Sequence, residues 1–155
     1  MNMNNYCKKG FTLVEILIVI AIFGIVGSAA SVMFNETRNR VVLEDAQASV
    51  INALEQARSR ALTGVRTTGT TGSDHGIYID YTNNKIYSFE GNAWPGTGQE
   101  ISLPPNVSII YPTSNMEIIF NRLSGQTNGE KTITLKNNIS EENIDVIVNE
   151  AGIIF

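Results

Sequence analysis

Cysteine is almost missing: Cys7 is the only one in 155 residues, so no intramolecular disulfide can form. Histidine is as scarce. With His75 alone, a zinc site would have to be built mainly from carboxylates, and Asp74-His75, set in a glycine-rich stretch, reads as a turn rather than a catalytic pair. Positive charge is short as well. Eleven Lys and Arg against fifteen Asp and Glu leave a formal charge of −4, which speaks against broad binding to nucleic acid, where phosphates demand clustered cations. No Gly-x-Ser-x-Gly elbow occurs, and Thr67-Thr-Gly-Thr-Thr-Gly72 lacks the Gly-Lys-Ser/Thr ending of a phosphate loop. Glu141 and Glu142 are adjacent, so they do not share a face and belong to a solvated loop or helix start. The chain is therefore expected to be no enzyme and to carry no cofactor or metal.

What is present sits first at the N-terminus. A polar, basic stretch ends in Lys8-Lys9-Gly10, and an apolar run follows it, uncharged for nineteen residues from Ile16 to Phe34. As a helix that run is roughly 28 Å long, close to the ~30 Å hydrocarbon core of a bilayer. A secretory signal peptide has the opposite order, with its apolar region before the cleavage site. A buried core helix would be amphipathic, whereas this one is apolar all round. Lys8 and Lys9 before the run and Arg38 and Arg40 after it leave the positive-inside count tied. The run contains no proline, and Gly24/Ser28 and Gly27/Ser31 form two small-xxx-small pairs that would let neighbouring helices approach. Glu15 stands out at the head of this helix. A carboxylate well inside a membrane costs about 2.5–3.5 kcal/mol, so it either finds a specific partner or snorkels into the headgroups.

Beyond the run, Leu43, Ala46, Val50, Ala53, Ala57 and Ala61 recur at three- and four-residue steps, with charged and amide side chains between them. This predicts an amphipathic helix over 35–63 with a narrow stripe suited to lie on a sheet, stopped near Gly64. The glycine- and threonine-rich stretch after it reads as a flexible connection. Short strand-like segments follow. Ile77–Asp80 and Lys85–Phe89 flank a Thr82-Asn83-Asn84 turn as a hairpin, and Val107–Tyr111, Met116–Phe120, Thr132–Leu135, Ile144–Val148 and Ile153–Phe155 continue the pattern. Trp94, in Asn-Ala-Trp-Pro-Gly, is either a surface contact or an anchor under a loop.

Lys8-Lys9-Gly10-Phe11-Thr12-Leu13-Val14-Glu15 resembles the leader and mature start of type IV pilins and type II secretion pseudopilins. The resemblance implies cleavage after Gly10 by prepilin peptidase on the cytoplasmic face, N-methylation of Phe11, and pairing of Glu15 with the Phe11 amine of a neighbouring subunit during assembly. Amine and carboxylate desolvated together offset each other, whereas either alone is expensive. It breaks the topological tie: a single-pass protein of the cytoplasmic membrane with its head outside, incorporated into a pilus or pseudopilus. Cleavage would leave a mature chain without cysteine. Leu54-Glu-Gln-Ala-Arg58-Ser-Arg-Ala-Leu-Thr-Gly64, Ile119-Phe-Asn-Arg-Leu-Ser-Gly125, and a final strand, Gly152, strand arrangement resemble the secretion-H/fimbrial-T group of minor pilins and pseudopilins.

The organisation expected on this basis is a leader at 1–10, a transmembrane and assembly helix at 11–34, an amphipathic extracytoplasmic helix at 35–63 and a β-rich head at 64–155. The fold expected is α+β and pilin-like, a long N-terminal helix packed on an antiparallel sheet or sandwich. The implied partners are other pilins, prepilin peptidase and the membrane assembly platform, and the implied role is to initiate or cap a filament. Some fimbrial-T relatives are implied to bind DNA for uptake through basic residues near the C-terminus. Here no Lys or Arg follows Lys136, and Glu150 precedes the end, which disfavours that alternative.

Overall fold

A computed structural model describes residues 11–64 and 73–155; inside the long helix, the side chains of 29–35 lie outside the described residues. The expected leader and the Thr/Gly-rich stretch at 67–72 fall outside them too. The chain divides into two compact units, Met1–Thr37 and Arg38–Phe155. One helix, α1 (Leu13–Thr63), contributes to both.

In the first unit, α1 begins where Thr12 caps it. The Thr12 Oγ1 accepts the Glu15 N–H at 3.2 Å, and the Thr12 carbonyl accepts the Ile16 N–H at 3.3 Å. Thr-x-x-Glu is the sequence form of a capping box, and an acidic side chain in the first turn suits the positive end of the helix dipole. From Phe11 to Ser28 every side chain is exposed, with Phe11 and Leu13 each at 80%. Among the described residues no helix is long and apolar enough to cross a membrane. The expected span runs on to residue 34, so its last part lies among side chains that are not described.

In the second unit, α1 turns one stripe inward. Leu43, Ala46, Val50, Leu54, Ala57 and Ala61 are all buried. Leu54 takes the place that the periodicity assigned to Ala53, which is only half-buried at the flank. Leu54 stands four residues after Val50 and three before Ala57 and so continues the stripe, whereas Ala53 lies to its side. Gly64, at φ +62°, ends the helix, its N–H reaching the Ala61 carbonyl at 3.3 Å.

Seven strands follow among the described residues: β1 (His75–Asp80), β2 (Lys85–Glu90), β3 (Gln99–Ile101), β4 (Val107–Tyr111), β5 (Met116–Phe120), β6 (Lys131–Asn137) and β7 (Asn143–Val148). They form an antiparallel four-stranded sheet of order β3-β2-β1-β5 and an antiparallel three-stranded sheet of order β4-β6-β7. Alternate residues of each strand point inward. Ile77, Ile79 and Ile118 of the first sheet and Ile133, Leu135 and Val146 of the second join the α1 stripe in one core cluster. The class is α+β with antiparallel sheets, as expected.

Two strand assignments differ from the sequence pattern. β3 was not anticipated, because Gln99-Glu-Ile has no alternation of its own and becomes a strand only by pairing with β2. Ile153–Phe155 is not a strand: Val148 and Ile154 form an isolated bridge, beside reciprocal backbone bonds between Ile147 and Phe155. His75 is also not in a turn. It opens β1, 2% exposed, and Asp74 before it accepts the Arg122 N–H at 2.7 Å.

Candidate functional site

The residues singled out at the N-terminus lie in the first unit. Gly10 is outside the described residues. Phe11 stands before the capping Thr12 and is the exposed start of the described chain, and Glu15 sits in the first turn of α1 with its side chain exposed. The structure thus brings Glu15 within one turn of Phe11 and leaves its surroundings open. Cβ atoms built on Gly24 and Gly27 would meet nothing within 4 Å, and the Ser28 hydroxyl bonds back to the Ile25 carbonyl at 2.8 Å. Small-residue notches are therefore present on this face at positions 24 and 27. Thr12 is the residue that reading the pattern for charge alone missed; its spacing of three to Glu15 was the available signal.

In the second unit, three separated sequence segments meet at the C-terminal end of α1. Leu123 donates its N–H to the Ala61 carbonyl at 3.0 Å, closing the helix end with residue 123 at φ +67°. Gly125 lies against Leu62 and the Arg58 stem, each close enough that a Cβ there would crowd them. Gly152 lies against the Gly125 carbonyl and within reach of the Arg58 Nε, while Arg58 Nη2 donates to the Ala151 carbonyl at 3.4 Å. These are the 54–64, 119–125 and Gly152 segments noted in the sequence. Their proximity is a property of the fold that no spacing along the chain reveals.

The other residues weighed earlier resolve into structure. Trp94 is half-buried and stacks on Tyr78, centroids 4.4 Å apart and nearly parallel, with Phe89 at its edge. It anchors the 91–98 loop on the outer face of the first sheet. Glu141 and Glu142 are both exposed in the β6–β7 connection, with Glu141 at φ +61° and ion-paired to Lys136. Among the described residues no group of His, Cys, Asp and Glu could hold a metal ion.

The electrostatic perturbations are confined to exposed pairs. A hydrogen bond to the Glu44 carboxylate at 2.9 Å, and behind it the charges of Glu44 and Glu142, hold the Arg40 guanidinium above its ordinary value. The Asn83 side chain donates to Asp80 and lowers that carboxyl, and Glu100, at 3.0 Å, raises the Lys85 ammonium. Such pairs set local geometry and contribute little to stability.

A family model described as the prokaryotic N-terminal methylation motif matches residues 5–31. No curated protein and no solved structure matches the chain. The matched residues bracket the Gly10–Phe11 junction, the capping Thr12 and Glu15. They support a type IV pilin-like protein of the pilin and pseudopilin class. Such a motif goes with a structural rather than an enzymatic protein, with processing by prepilin peptidase and with assembly alongside other pilins.

Proposed function

We propose that this chain is a minor pilin or pseudopilin that initiates or caps a pilus-like filament in type II secretion or a type IV pilus. Prepilin peptidase cleaves it between Gly10 and Phe11, and Phe11 is then N-methylated. Residues 11–34 anchor it in the cytoplasmic membrane, with the head from residue 64 outside. Glu15 pairs with the Phe11 amine of a neighbouring subunit, drawing it into the filament. The observation that carries this reading is the methylation motif at 5–31, with Glu15 uncovered in the first turn of a helix whose side chains from Leu13 to Ser28 are all exposed. The secretion-H/fimbrial-T assignment is supported by the meeting of Arg58, Gly125 and Gly152, one from each of its three sequence segments. Intact-mass analysis of membrane-extracted protein tests the processing. Loss of residues 1–10 and gain of one methyl group is the expected result, and a mature species that keeps Met1 overturns it.

A further inference from the structure

Two clefts in the second unit share residues and make one groove. The first, of about 370 Å³, reaches from Arg60 across Ser88 to Gln99 and the 95–98 loop. The second, of about 320 Å³, lies between the α1 flank and β3 and is also lined by Ser88 and Gln99. On the helix side the lining residues are Ser49, Asn52, Ala53, Gln56 and Arg60. Ser49, Asn52, Gln56 and Arg60 follow at steps of three and four, with Ala53 beside them, in one row down the flank of α1. Eleven residues of helix separate Ser49 from Arg60, about 16 Å of groove, the length of about five residues of extended chain.

The opposite wall is an edge strand, and the edges of the two sheets are treated differently. In the second sheet both edges are closed by the chain itself. Asn84 clasps β4, its Nδ2 donating to the Val107 carbonyl at 3.0 Å and its Oδ1 accepting the Ile109 N–H at 2.7 Å. Residues 153–155 lie along β7, with Ile147 and Phe155 exchanging backbone bonds. β3 pairs with β2 on one side, and among the described residues no comparable clasp covers its other side. Exposed edges are ordinarily blunted, because their backbone groups are a template for another strand.

We infer that this groove receives an extended polypeptide segment of a partner chain, added to β3 as a fifth strand of the first sheet. Such a strand continues the sheet over the α1 flank, so its inward side chains, at every second position, meet Ser49, Asn52 and Gln56. Main-chain bonds to β3 supply affinity and these side chains supply selection. The middle of the groove carries hydroxyls and amides, and the charge of Glu100 is matched by Lys85. At these middle positions the segment it fits is accordingly uncharged, with Ser, Thr or Asn at alternate positions; an acidic or basic side chain pointing inward there would lose water without gaining a partner. This inference concerns the head and stands whether or not the filament reading does.

The test uses the full chain in detergent and a set of end-blocked hexapeptides with Ser, Thr or Asn at alternate positions and Val between them. Isothermal titration calorimetry reads occupancy, because the tryptophan variants below add emitters to Trp94, the single tryptophan of the parent. Expected is saturable binding with Kd below about 1 mM for the best peptide. It should weaken at least about tenfold in Asn52→Trp and in Gln56→Trp, each an exposed position where a large ring fills the groove. Circular dichroism checks that both variants keep the parent fold, and Glu55→Trp, on the neighbouring exposed face, should bind as the parent does. The same peptide with every backbone amide N-methylated should not bind. Binding that survives N-methylation, equal binding by the Asn52→Trp and Gln56→Trp variants, or no saturation by any peptide overturns the inference. So does concentration-dependent self-association that Asn52→Trp abolishes, which would assign the groove to a second copy.

Discussion

Gly152 packs directly against the carbonyl oxygen of Gly125, leaving no room for a β-carbon between the turn after β7 and the turn after β5. Gly152 also sits at φ +74°, where an L side chain is strained. Gly152→Ala therefore combines backbone strain with a backbone collision, and should cost roughly 2–4 kcal/mol of stability. Gly129 provides the internal comparison, since its φ of +84° is similar but a Cβ there would meet nothing within 4 Å. Gly129→Ala should cost only the strain, about 1–2 kcal/mol. Chemical unfolding of the two variants reads the difference; equal losses would mean that the Gly125 contact is unimportant.

Asn84 ties the β1–β2 turn to the edge of β4 by two hydrogen bonds and occupies φ +54°. Asn84→Ala removes both bonds and adds strain, whereas Asn84→Gly removes the bonds and relieves it. If the clasp matters more than the backbone angle, both variants lose stability, each by about 1–3 kcal/mol. If the angle matters more, Asn84→Gly is neutral. Urea midpoints decide, and hydrogen exchange at the Ile109 amide should quicken in both variants.

The β1–β2 turn also has a pH signature. The Asn83 side chain donates to Asp80 at 2.8 Å and the Asn83 N–H does so at 3.1 Å, bonds that favour the carboxylate and lower its pKa. A depressed carboxyl stabilises the fold above its unfolded value and ceases to do so as pH falls through the folded one. The contribution of this turn is thus present at neutral pH and fades in the acid range below the ordinary aspartate value. Side-chain carbon shifts should show Asp80 titrating below that value in the parent and returning towards it in Asn83→Ala. An unchanged titration in that variant would detach the shift from Asn83.

Periodicity along the chain made much of this fold legible, and it erred where pairing rather than local pattern decides. The alternation in Ile77–Asp80 and Lys85–Phe89 marks a half-buried hairpin, and the two strands pair from His75↔Glu90 to Asp80↔Lys85. Gln99–Ile101 carries no such pattern, because its strand state comes from β2. Ile153–Phe155 is a short apolar run that reads as a strand, yet makes only a bridge, since the tight turn at Asn149–Gly152 leaves it few residues to pair. His75 was obscured by its polar, glycine-rich neighbours, although burial at the head of β1 needs no apolar context from the preceding loop. The candidate site divides in the same way. Glu15 and the junction before Phe11 are contiguous in sequence and visible there, whereas the meeting of Arg58, Gly125 and Gly152 depends on contacts nearly a hundred residues apart.

Glu15 allows magnitude to separate two roles. As a first-turn carboxylate it favours the start of α1 beside the Thr12 cap, an effect of about 0.3–1 kcal/mol. As the partner of a neighbouring Phe11 amine in a desolvated interface, its loss would strand a charge and cost about 3–5 kcal/mol. Glu15→Gln, which keeps size and hydrogen-bonding capacity but not charge, should therefore leave cleavage and membrane insertion unchanged. Incorporation into sheared pili or pseudopili, measured by immunoblot, should fall by more than about a hundredfold if the larger figure applies. Thr12→Val removes the cap but not the charge, and supplies the comparison for a purely local effect. If Glu15→Gln and Thr12→Val both lower incorporation only a fewfold, the carboxylate serves the helix and not a neighbour. In that case residues 11–34 would be an anchor only, and recruitment into a filament would have to come from the surface of the head.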